Sequence, residues 1–111
     1  MNIDVRHSSR IPSLGLVELV HRRLGFALDR FSDRVFSVRL FLHDMNGPRG
    51  GRDMLCRVVA RIRGVREVVI EDVDQELDPL LNRVADRLCA SVARRLERRR
   101  STRRRIAWGG A

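Results

Sequence analysis

The chain has 111 residues, 43% of them apolar, which suits a single domain with one modest core. No apolar run approaches the ~20 residues of a membrane span and the N-terminus lacks a signal-peptide pattern, so a helical membrane protein is excluded and a cytosolic one is predicted. The formal net charge is +9 with every basic residue an arginine, and it is unevenly placed: residues 1–93 carry 15 Arg against 13 acids, residues 94–111 carry 8 Arg against 1.

Ile3, Val5 and His7 alternate with Asp4 and Arg6, the period of a short first strand. Ser13 is placed to cap a helix running to about Phe31, with Leu16, Val20, Leu24, Leu28 and Phe31 on its apolar stripe. Arg22, Arg23 and Arg30 lie off that stripe. Val35 to His43 reads as a strand with Phe36, Val38, Leu40 and Leu42 on one face. The glycines and Pro48 between Asp44 and Asp53 predict a flexible hairpin loop. Leu55 to Arg63 follows, with Cys56, Val58, Ala60 and Ile62 opposite Arg57, Arg61 and Arg63, the alternation of a half-buried antiparallel sheet. Gly64 permits a tight turn into a fourth strand, Arg66 to Asp72.

The last helix has two possible caps, Asp74 and Asp78. Asp78 is preferred because it puts Pro79 at the first helical position. Leu81, Val84, Leu88, Val92 and Leu96 form its stripe. Arg83, Arg87, Arg94 and Arg98 fall within a sector of roughly 60° beside it, at about 100° per residue. Asp86 and Glu97, at i+3, are placed to match Arg83 and Arg94. Beyond Leu96 the stripe ends, and residues 101–111 read as a basic, disordered tail after a domain spanning 1–100. The predicted architecture is α+β, β-α-β-β-β-α, a four-stranded sheet with two helices packed on one face.

Signals for catalysis are weak. His7, His21 and His43 are scattered with no ligand spacing, and no Gly-rich loop joins a strand to a helix. Asp72, Asp74, Glu76 and Asp78 form an acidic run that suits a helix N-terminus better than a metal. Cys56 and Cys89 read as buried thiols. No catalytic residue, metal, cofactor, small-molecule substrate or membrane partner is therefore expected. A lone arginine is ordinarily a solvated charge or a weak surface ion pair. Concentrated arginines without matching acids instead point to a polyanion. All four Phe suit core or sheet positions and there is no Tyr, which argues against base stacking and for contacts to phosphate backbone.

Two stretches give the order of elements a family likeness. Val17-Glu18-Leu19-Val20-His21-Arg22-Arg23-Leu24, continuing through Leu28-Asp29-Arg30-Phe31, resembles the first helix of the ribosome hibernation promoting factor and ribosome-associated inhibitor A family (the sigma-54 modulation protein family). Glu76-Leu77, with Leu80-Leu81-Asn82-Arg83-Val84-Ala85-Asp86-Arg87-Leu88, is similar to that family's final helix. Asp78-Pro79 and the arginine-rich end depart from its pattern. The resemblance is to the short form, without the domain that pairs ribosomes. It implies a fold related to double-stranded-RNA-binding domains. It further implies a cytoplasmic stress and hibernation factor that binds the small ribosomal subunit in the decoding and tRNA channel and inhibits translation by occlusion. The basic residues carried over as ribosomal-RNA contacts are Arg22, Arg23, Arg30, Arg83, Arg87, Arg94 and Arg98. A general module for structured RNA, or a protein-interaction domain with a basic tail, is the alternative.

Overall fold

A computed structural model describes residues 1–8, 11, 14–45 and 53–109, with side chains as far as residue 100. The elements are β1 (Asn2–His7), α1 (Leu16–Ala27), a 3₁₀ turn (Asp29–Phe31), β2 (Val35–Asp44), β3 (Met54–Ile62), β4 (Val68–Asp74) and α2 (Leu77–Gly109). The strands lie in the order β1-β2-β3-β4. β1 runs parallel to β2, joined through α1, while the other two pairs are antiparallel. Both helices pack on one face of this mixed sheet, as the sequence predicts.

The core is the sum of the stripes. Leu16, Val20, Leu24 and Leu28 meet Leu80, Leu81, Val84, Leu88 and Val92 over Val38, Leu40, Leu42, Cys56, Val58, Ala60, Val68 and Ile70. Cys56 is a buried thiol whose pKa is pushed up to about 12, by burial first and the nearby Asp72 charge second. Cys89 is only half-buried.

Several local expectations are corrected. α1 begins after Gly15, which takes the left-handed conformation at φ 72°, and Ser13 lies outside the described residues. The predicted single helix to Phe31 ends at Ala27 and tightens into the 3₁₀ turn, where Phe31 N–H donates to Leu28 O at 2.9 Å. On β2 it is Val35 that is buried, at 1% exposure, while Phe36 is 46% exposed. A bulge at Phe36 is the cause: Val35 pairs with Ile62 and Ser37 with Arg61, so one extra residue shifts the alternation. β4 starts and ends two residues later than predicted. The predicted loop between Asp44 and Asp53 lies largely outside the described residues.

α2 starts between the two candidate caps. Leu80 N–H donates to Glu76 O at 3.3 Å, and Asp74 Oδ1 accepts from Glu76 N–H at 2.9 Å. Pro79 is therefore the third helical residue, where its missing N–H still leaves no helical bond unmade. The helix runs past the end of its apolar stripe at Leu96. Its backbone continues through Gly109, about 50 Å in all at 1.5 Å per residue.

Candidate nucleic-acid interface

The inward positions of β4 run Val68, Ile70, Asp72, Asp74, two apolar and then two acidic. Carboxylates facing the helix layer need cationic partners, and α2 supplies them. Arg83 reaches Asp72 at 3.0 Å, Asp74 at 2.7 Å and the Val73 carbonyl at 3.1 Å. Arg87 donates to Glu71 O at 2.8 Å and lies 3.5 Å from Asp72. The charge of these two arginines is thus matched across to β4, and Arg83 does not pair with Asp86 along the helix. The two side chains also cover carbonyls of an edge strand that would otherwise be open to another chain.

The same stripe continues at steps of four through Ser91 to Arg95 and Arg99. Arg95 donates to Arg66 O at 2.9 Å and Arg99 to Arg63 O at 3.1 Å, tying the far part of α2 to the β3–β4 turn. Neither was singled out by the charge pattern, although the i+4 repeat from Arg83 is the signal that finds them. Gly64 in that turn has φ 75°, and an added Cβ would fall 1.4 Å from the Arg99 guanidinium. Its lack of a side chain serves both the turn and the approach of Arg99.

The Arg83 guanidinium is the main cause holding the Asp72 carboxyl below its ordinary 3.8. Asp74 is lowered first by the Glu76 backbone N–H and second by Arg83. Arg83 is raised in turn, by Asp72 before Asp74. Lowered carboxyl values mean that this stabilisation is complete above about pH 4 and is lost as pH falls through the folded values. Thermal unfolding followed by circular dichroism is expected to show a smaller drop in Tm between pH 7 and pH 3 for Asp72→Asn/Asp74→Asn than for the natural chain. An equal drop in both would remove these two acids from the account.

The other predicted arginines are placed differently. Arg23 hydrogen-bonds Asn82 and sits 3.4 Å from Asp78, bridging α1 to the start of α2. Arg30 lies over the Phe31 ring at 4.6 Å and points a nitrogen to Cys89 Sγ at 3.8 Å, both neutral partners. Arg94 meets Ser91 Oγ at 3.3 Å rather than Glu97. Arg22 and Arg98 are exposed with no polar partner among the described residues. The seven differ in what they are bound to among the described residues. Arg83 and Arg87 are locked to β4, Arg23 is partly matched, and Arg22, Arg30, Arg94 and Arg98 keep their charge without a carboxylate.

The aromatics depart from expectation as well. Phe26 on α1 is 87% exposed, and Phe36 and Phe41 are 46% and 40% exposed, so three of the four Phe stand outside the core. The fully buried stripes took aliphatic residues instead.

Among the described residues no His, Cys, Asp or Glu cluster suited to a metal occurs, and no helix is long and apolar enough to cross a membrane. No protein-family model and no curated protein matches the chain. Solved structures share its fold, among them these two. One is the N-terminal domain of Thermus thermophilus Protein Y, with TM-score 0.69 and 22% identity, covering 85% of this chain and 98% of that one. The other is a ribosomal subunit interface protein from Coxiella burnetii, with TM-score 0.67 and 12% identity, covering 85% of this chain and 96% of that one.

Proposed function

We propose that this protein is a non-catalytic ribosome-associated factor of the hibernation type. In this reading it binds the small subunit in the decoding and tRNA channel and blocks translation by occupying the path of tRNA and mRNA. The observation that carries the reading is the fold it shares with the Protein Y N-terminal domain over nearly all of that domain. The two sequence stretches that resemble the hibernation family, and the arginines on the helix layer, support it. A cytoplasmic location follows from such a partner.

Arg22, Arg30, Arg94 and Arg98 make the primary contacts to ribosomal RNA in this reading, with Arg23 beside them. Arg83 and Arg87 contribute only by exchanging Asp72 and the β4 carbonyls for phosphate, so they add less than their position in the sequence suggests. Residues 101–111 carry three of the arginines behind the excess of +7 over residues 94–111, and add attraction with little geometry.

The test is translation in vitro with added protein, followed by gradient sedimentation over a salt series. Inhibition with co-migration on small subunits or whole ribosomes is expected. Affinity should fall steeply between about 50 and 200 mM salt, because each phosphate neutralised releases counterions. Binding to structured RNA with no ribosome co-migration would return the molecule to a general RNA module. Ribosome association that survives at high salt would overturn the electrostatic mechanism.

A further inference from the structure

The helices cover one face of the sheet. Among the described residues no element packs over the other face, and its residues can be placed by register. Across one row stand Arg6, Phe41, Arg57 and Glu71. The next row has Asp4, Arg39, Val59 and Val69. On the far side of the Phe41 row, His43 pairs with Leu55 and Leu55 with Val73. The central strand β2 therefore presents Ser37, Arg39, Phe41 and His43 in succession, about 7 Å apart along the strand. Phe41 lies between two arginines on neighbouring strands, with a third arginine and a histidine beside it on its own.

This is chemistry suited to a single strand of RNA. Phenylalanine, histidine and the guanidinium plane all stack on nucleobases, and arginine also holds phosphate. An open four-stranded sheet backed by two helices, with an exposed aromatic on a central strand, is an arrangement that lays bases flat on a sheet. Over β1 to β3 the face carries Arg6, Arg39, Arg57 and Arg61 against Asp4 alone. Arg39 is exposed and has no polar partner among the described residues. Arg6, Arg57 and Arg61 meet Asp4, Glu71 and Glu67 at 3.2, 3.7 and 3.9 Å, exposed pairs that exchange readily for phosphate. The β3–β4 side is more apolar, with Val69 and Val73 exposed, and would suit a protein partner. The arginine and aromatic side chains are centred on β2, which favours RNA.

We propose that the open sheet face is a second nucleic-acid surface, a platform for single-stranded RNA on which Phe41 stacks a base while Arg6, Arg39 and Arg57 hold flanking phosphates. It lies on the opposite side of the sheet from the helix-layer arginines and does not depend on their binding a ribosome.

The full chain carrying Trp108→Phe and Phe41→Trp places its single indole on this face. Titration with a ten-nucleotide oligoadenylate is expected to quench that indole saturably. By anisotropy with the labelled oligonucleotide, Phe41→Ala should weaken binding about tenfold and Phe41→Tyr should restore it. Arg39→Ala removes a side chain with no polar contact among the described residues, and should lower the salt slope by about one. A duplex of equal length should not distinguish Phe41→Ala from the natural chain. Absence of quenching, or equal oligoadenylate affinity for Phe41→Ala and Arg39→Ala and the natural chain, would overturn the proposal. So would self-association, seen by sedimentation equilibrium, that Phe41→Ala abolishes while oligonucleotide binding is unchanged, since that assigns the face to protein. Helix-layer variants that lose ribosomes but keep the quench would separate this surface from the ribosome reading.

Discussion

Arg22→Glu/Arg94→Glu/Arg98→Glu is expected to abolish co-sedimentation with small ribosomal subunits while leaving the protein folded. None of the three arginines has a carboxylate partner among the described residues, and Arg94 meets only the Ser91 hydroxyl. Reversing them breaks no ion pair that the fold uses. If each contacts a phosphate, affinity should fall on the order of a hundredfold or more, and the slope of log affinity against log salt should flatten by roughly two to three. Truncation after Arg100 should weaken binding less, since it removes charge without removing the helix-layer contacts. Undiminished binding by the triple variant would move the interface elsewhere. The more obvious choice, Arg83→Glu/Arg87→Glu, is the poorer experiment. It would set new carboxylates against Asp72 and Asp74, so a loss of binding would report damage to the α2–β4 lock as much as a lost RNA contact.

Leu88→Ala is expected to destabilise the fold by about 2–5 kcal/mol, as a lower urea midpoint with an unchanged slope. Leu88 is 0% exposed, on the stripe of α2 that meets α1 and the sheet together. Leu14→Ala serves as its control. Leu14 is 98% exposed, and truncating it should change stability by no more than about 0.5 kcal/mol. If both substitutions cost the same, the stripe from Leu81 to Val92 is not the centre of the core. A domain of this size has about 5–15 kcal/mol to lose, so the core variant should also be less abundant in cells.

The sequence by itself determined the elements, their order and most of the core. Helix and strand periods are local properties: Leu16, Val20 and Leu24 share a helix face, and Val58, Ala60 and Ile62 a strand face, whatever surrounds them. Burial then follows, because an apolar stripe has to be covered. Only the tertiary structure decided which charges remain available. Arg83 and Arg98 lie in the same sector of roughly 60° on one helix, yet one faces Asp72 and Asp74 on β4 and the other has no polar partner among the described residues. That difference depends on which strand lies beside each turn of α2, a relation between residues far apart in the chain. The bulge at Phe36 is of the same kind. Its register is set by the pairing of β2 with β3, and it turns a predicted core aromatic outward. The parallel pairing of β1 with β2 was likewise unmarked by alternation, which has the same period in either direction. Where a residue's role rests on its own spacing, the sequence was sufficient. Where the role rests on a partner, as for the arginines and the exposed Phe, packing had to supply that partner or withhold it.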